Sequence, residues 1–179
     1  MIPRESTLQE NKKINLSLFS YLFAELISYL NSKDDSRSLE ERLSEIGFPI
    51  GQRILEYYAL GRQFRFATSE KILSFIKGKV WTLLFGKEAD NLEQSEEVKN
   101  EYRIHDHDPI INRYLANKYE QINCGSFVAG IIEGLLNSAD YPAKVTAKVV
   151  EIEDEEEIIK EEKKRIVVYF ILFDSKIIE

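Results

Sequence analysis

The chain has 179 residues, a formal net charge of −7 and one cysteine. Hydrophobic residues make up 44% and charged residues 31%, which excludes a disordered chain and fits a soluble globular domain with a real core. The negative balance argues against nucleic acid as the main partner, and a lone cysteine excludes an internal disulfide and points to a reducing compartment.

Residues 1–13 read as a polar N-terminal tail, and 14–179 as a single domain. The opening MIPRESTLQENKK is too polar for a signal peptide. From Ile14 to Leu30, Leu16, Phe19, Phe23, Ile27 and Leu30 recur at helical spacing. Leu22 and Leu26 widen that stripe beyond what one neighbour needs, with Ser20, Glu25 and Ser28 behind it. Ser38-Leu39-Glu40-Glu41 is a capping-box start for a second helix. Gly47 is expected to end or bend it, with Pro49 opening a third helix that runs to Leu60. Thr68 or Ser69 caps a further helix carrying Ile72, Phe75, Ile76, Val80, Leu83 and Leu84, with Gly86 as its stop.

Residues 87–101 are mostly charged and read as a solvated connection. YRIHDHD at 102–108 reads as a strand stopped by Asp108-Pro109. Asn123 is expected to cap a helix to about Ser138. AKVTAKVV alternates like a half-buried strand, and IVVYFILF at 166–173 is apolar on both faces, like a central one. That run is also far shorter than the roughly 20 residues of a membrane helix. Helices first and strands late predict an α+β fold, with helices on one side of an antiparallel sheet.

Cys124, in NCGSFVAGIIEGLL, sits at a helix start, where the macrodipole favours a thiolate. The fragment echoes a papain-type signature but lacks its second cysteine. Both histidines, His105 and His107, also precede Cys124, the reverse of that family's order. A small packing residue is the better reading. His105 and His107 would share one strand face, as zinc ligands can, but no third ligand stands at a suggestive spacing. Gly130 and Gly134, four apart inside a helix, each cost about 1 kcal/mol relative to alanine and point to close packing on another element. No phosphate-binding pattern is present. The run EIEDEEEIIKEEKKR at 151–165 reads as a solvated excursion between two strands, with a partner contact as the lesser reading.

Three segments carry a resemblance: IGFPIGQRILEYY, LFGKEADNLEQ and NCGSFVAGIIEGLLNSADYPAKVTA. Together they resemble the small subunits of TRAPP, the tethering complex of early secretory traffic, in its palmitate-binding-subunit branch. GFPIGQRILE, with Gly47, Gly51 and Arg53, is shared across that branch, whereas FGKEADNLEQ is similar to the subunit-five group. The likeness runs from Asn15 to Val150 and resumes from Ile166 to Asp174. It implies an α+β subunit without catalysis or cofactor. Such subunits pair through their first helices with other small subunits. They build a core that exchanges guanine nucleotide on a Rab-type GTPase between endoplasmic reticulum and Golgi, so the chain is expected in the cytoplasm and only peripherally at membranes. A related subunit is acylated on a cysteine in the connection matching residues 61–69. GRQFRFATS has none, so no covalent fatty acid is expected. Phe19, Leu22, Phe23 and Leu26 are the candidate partner-interface residues, and Gly47, Gly51, Arg53, Asn123, Gly130 and Gly134 the structural ones. A domain binding a small apolar or fatty-acyl ligand between helices and sheet is the alternative.

Overall fold

The computed structural model describes residues 15–60, 65–111, 122–152 and 164–174. In chain order they form α1 (Leu16–Asn31), α2 (Leu39–Ala59), α3 (Ser69–Phe75), a π-helical stretch (Ile76–Val80) and α4 (Trp81–Phe85). There follow β1 (Asn91–Gln94), β2 (Glu101–Asp106), α5 (Gly125–Ser138), β3 (Ala143–Ile152) and β4 (Lys164–Phe173). Helices lead and strands come late, the α+β order expected. The sheet is antiparallel throughout, in the order β1-β2-β4-β3. The chain divides into two units, Met1–Asp34 and Asp35–Glu179. The expected polar tail, 1–13, and residues 153–163 of the charged excursion lie outside the described residues.

The capping box at Ser38 forms as the sequence predicts. Ser38 Oγ accepts from the Glu41 amide at 3.1 Å, and Glu41 Oε2 accepts from the Ser38 amide at 3.0 Å. The helix it starts does not stop where expected. α2 runs unbroken through Gly47 and Pro49 to Ala59, so the two helices expected there are one. Pro49 cannot donate to the Glu45 carbonyl, a defect worth about 3 kcal/mol in a helix interior. Tertiary packing overrides that cost, because α2 lies directly against α5. A Cβ on Gly47 or Gly51 would strike the Phe127 or Ile131 carbonyl oxygen. One on Gly130 or Gly134 would strike that of Ser44 or Phe48. The partners advance together along both helices, so α2 and α5 run in the same direction with backbone against backbone.

α5 in turn lies on the sheet. Gly125 meets the Val167 side chain of β4 and the Ala147 side chain of β3. Asn123 stands one residue ahead of the position expected for a cap: the N-cap residue is Cys124, which makes no side-chain cap bond. Asn123 Oδ1 still accepts from the Gly125 amide at 3.2 Å, while its Nδ2 donates to the Ala147 carbonyl at 2.7 Å. One side chain thus terminates the helix and fixes it to β3.

β4 is central, between β2 and β3, as its apolar run predicts. Val167, Tyr169, Ile171 and Phe173 are buried on one face. On the other, Ile166 and Val168 are buried while Leu172 is exposed, so double cover fails towards the C-terminal end. Residues 87–101 are not simply a solvated connection: Asn91–Gln94 pairs with Tyr102–His105 as edge strand β1. Its polar residues hide it from a search for apolar alternation. Ahead of it, Gly86 adopts φ 75°, the left-handed helix stop expected of it. Lys87 then donates to the buried Asp106 carboxylate at 3.0 Å, and Asp90 Oδ2 accepts from the His107 amide at 2.7 Å. FGKEAD is therefore a clasp that ties the end of α4 to the end of β2. Close by, Trp81 is fully buried edge-on against Phe85 and Tyr169, and its Nε1 has no hydrogen-bond partner among the described residues.

The glycine contact makes a sharp prediction. Gly51→Ala or Gly134→Ala should cost about 1–3 kcal/mol through overpacking, despite the higher helix propensity of alanine. Gly78 is the control, because a Cβ there meets only the Glu88 carboxylate at 3.7 Å and beyond. Gly78→Ala should be neutral or stabilising by up to about 1 kcal/mol. Urea unfolding midpoints measure both, and equal effects at the two kinds of position would refute the backbone contact. Lys87→Met, which strands the buried Asp106 carboxylate, should lower stability in the same measurement by about 1–3 kcal/mol.

Candidate functional site

The polar groups that suggested chemistry are occupied with structure. Cys124 is fully buried at the foot of α5. Burial first, and the Glu40 carboxylate second, push its thiol up to about 12, so the thiol stays protonated at neutral pH and is a packing group. The proposed pull of the helix terminus does not prevail, since desolvation of a thiolate outweighs it. His105 lies on β2, with its Nε2 3.0 Å from Glu93 Oε1 on neighbouring β1, a cross-strand pair. His107 follows the strand and is exposed. Neither approaches a nucleophile, and among the described residues no group of three or more His, Cys, Asp and Glu could hold a metal ion. Asp106 faces the opposite side from His105, as alternation requires, and pairs with Lys87.

The remaining feature is a surface. Asn15 starts α1, its side chain accepting from the Ser17 amide at 2.9 Å. Along this helix Phe23, Ile27 and Leu30 are buried, and Phe19 and Leu26 are half-buried. The side expected to be polar does hold exposed Glu25 and Ser28, but it also holds large apolar groups. Leu18 is 54% exposed, Tyr21 78%, Leu22 64% and Tyr29 56%. Leu18, Leu22 and Tyr29 fall on one helical stripe with Glu25, and Tyr21 stands beside it. A helix that shows four large apolar side chains to solvent holds a ready contact face. Of the four residues read from sequence as interface candidates, Leu22 lies fully on that face and Phe23 is buried. Leu18, Tyr21 and Tyr29 were missed. Tyrosine at positions 21 and 29 interrupts no apolar stripe, and the aromatic surplus of the helix was the available signal.

Gly47, Gly51, Gly130 and Gly134 lie in the α2–α5 contact, and Asn123 joins the start of α5 to β3. Arg53 does not join them: it is exposed and makes no ion pair among the described residues, and nothing in the structure explains its place in the motif. No described helix is long and apolar enough to cross a membrane.

The state of Cys124 is open to a simple check. A maleimide at pH 7 should leave the folded chain unlabelled over hours and label it once in guanidinium. The sign of the pH effect follows from the raised value. Stability tied to the neutral thiol is complete below the unfolded value, near 9, and drains away as pH rises towards about 12. Cys124→Ala should remove that part of the alkaline loss. Rapid native labelling would overturn the assignment.

Comparison with known proteins agrees with the fold. The family model for the transport protein particle (TRAPP) component matches residues 19–169. Trafficking protein particle complex subunit 5 of Dictyostelium discoideum is 43% identical over 147 residues, covering 79% of this chain and 78% of its own. The human protein of that name is 41% identical over 142 residues, covering 75% and 74%. A crystal structure of trafficking protein particle complex subunit 3 from Naegleria fowleri, covalently bound to palmitic acid, matches with a TM-score of 0.67. It covers 91% of this chain and 97% of that one at 15% identity, which speaks to the fold alone. With a family match across most of its length and relatives at this identity, the chain belongs to the TRAPP component family.

Proposed function

We propose that this chain is a non-enzymatic, structural subunit of a TRAPP-like vesicle-tethering complex. In this reading α1 is its pairing surface, joining it side by side to the first helix of another small subunit. The pair forms part of a core that acts as guanine-nucleotide exchange factor for a Rab-type GTPase in transport from endoplasmic reticulum to Golgi. Its place is peripheral, at the ER–Golgi interface or cis-Golgi, reached through the complex.

The observation that carries the reading is the exposed apolar face of α1. Covering it removes large apolar side chains from water, at about 25 cal/mol for each Å². Leu22 and its neighbours Leu18 and Tyr21 are the anchors, with Phe19 and Leu26 contributing from the flank of the stripe. Phe23 acts as support, because it is already buried. Supporting it from the other side, Cys124 is buried with its thiol protonated at neutral pH, and His105 is paired with Glu93. Exchange requires no nucleophile and no base: it is differential binding, in which an assembly holds the nucleotide-free GTPase better than the loaded one.

An acyl ligand is not needed here. The Naegleria protein carries palmitate by a covalent bond, whereas the single cysteine of this chain, Cys124, is fully buried at the foot of α5. Its intact mass, taken from a eukaryotic host, should lack an added palmitoyl group.

The pairing surface is tested with Leu18→Asp combined with Leu22→Asp. Co-purification with a related small subunit should fall at least tenfold while the circular dichroism of the chain is unchanged. A folded double variant that still co-purifies fully would overturn the reading. Exchange gives a second readout. The isolated chain should not accelerate GDP release from a Rab-type GTPase, the assembled core should, and the double variant should remove that acceleration.

A further inference from the structure

β3 is an edge strand, and its free side is only half covered. Its even-numbered residues bond to β4, as Pro142 does when its carbonyl accepts from the Asp174 amide at 3.1 Å. Odd-numbered residues therefore turn their N–H and C=O groups outward. Inside the protein two of these are satisfied by side chains. The Val145 amide donates to Glu133 Oε2 at 2.9 Å, and the Ala147 carbonyl accepts from Asn123 Nδ2 at 2.7 Å. Beyond that point no described side chain bonds to the edge. The Ala147 amide and both backbone groups of Val149 have no partner among the described residues, and Val149 and Val150 are 43% and 40% exposed. An edge of this kind is a template for another strand.

A groove of about 800 Å³ runs beside this edge, between the start of α2, α5 and β3. Its apolar lining is Phe48, Ala129, Val145 and Ala147. Its charge is unbalanced: four carboxylates, on Glu40, Glu41, Glu45 and Glu133, stand against the two cations Arg37 and Lys144. Both cations are already engaged, Arg37 with Asp35 and Glu45, and Lys144 with Glu133. Glu40 and Glu41 accept from the Asn123 and Ser38 amides and make no ion pair among the described residues. An occupant that completes this site therefore brings extended backbone, small apolar side chains and positive charge.

We propose that the free edge of β3 and the adjoining groove dock an extended, basic segment of a partner polypeptide, added as a fifth strand. Its backbone pairs with Ala147 and Val149, and its lysines or arginines reach Glu40 and Glu41. A helix cannot supply the missing backbone bonds. A second copy of this chain would bring an identical acidic groove and a net charge of −7 against the first. The surface lies apart from α1 in sequence and chemistry, so the proposal stands without the pairing role given to that helix.

The probe is a dye-labelled peptide of about eight residues alternating lysine and valine, with a glutamate–valine peptide as counterpart, read by fluorescence anisotropy on the full chain. The basic peptide should bind, and the acidic one should not. Raising salt from about 0.05 to 0.5 M should weaken binding severalfold. Glu40→Lys should weaken it at least tenfold. So should Val149→Pro, which removes only the outward N–H and leaves the ladder to β4 intact. In hydrogen exchange, the Ala147 and Val149 amides should gain protection when the peptide is added. Leu22→Asp should change none of this. The proposal is overturned if both peptides bind alike, if a folded Val149→Pro chain binds as tightly as the parent, or if those amides gain no protection. Self-association abolished by Val149→Pro would overturn it in favour of a second copy.

Discussion

The contact between α2 and α5 is the constraint on which the rest of the architecture depends. Two helices that run in the same direction meet through Gly47, Gly51, Gly130 and Gly134, so that each backbone lies in the carbonyl layer of the other. Side chains at these positions would hold the axes apart. Close approach brings many weak contacts at once, including Cα–H to carbonyl oxygen contacts, each worth about 0.5–1 kcal/mol. That collective gain explains how a helix keeps two glycines and a proline in its interior. It also sets the position of α5 on the sheet, because Gly125 lets its first turn sit against Val167 and Ala147.

A second constraint closes the structure from the other end. The helical stretch from Ser69 loosens into a π-turn at Ile76–Val80 before Trp81, and ends at Gly86 with left-handed backbone. Lys87 and Asp90 then engage the end of β2. The buried Asp106 is tolerable only because Lys87 and the Asp108 amide both donate to it. Trp81 shows the opposite balance. A large apolar surface is buried even though its N–H finds no acceptor among the described residues, and the area term outweighs the unmade bond.

Fold class was legible because it rests on order and period. The capping box at Ser38, the stop at Gly86 and the central strand 166–173 all follow from local rules. What failed did so where a distant partner decides. Gly47 and Pro49 read as a break, and only α5, some eighty residues on, turns them into a continuous helix. β1 is three polar residues around a single Leu92, too short for a pattern of its own, and it exists because β2 offers it an edge. Cys124 had a local cue, a helix start, that burial overrides. The α1 face was legible in outline as a stripe too broad for one neighbour. Its aromatic members, Tyr21 and Tyr29, lie off the apolar stripe, and only the aromatic surplus of the helix marked them.

Once the polar groups are assigned, most are committed to holding the chain together: His105 to Glu93, Lys87 to Asp106, Glu133 to the edge of β3, Asn123 to the end of α5. What remains is two surfaces of different physics. α1 offers side-chain area, whose burial is non-directional and insensitive to ionic strength. The edge of β3 offers unpaired backbone beside unmatched negative charge, which is directional and screened by salt within about 10 Å at 0.1 M. A contact made through the first should strengthen or hold as salt is raised, and one made through the second should weaken. Salt therefore separates the two surfaces without a mutation. A chain with both can keep one partner bound while exchanging another.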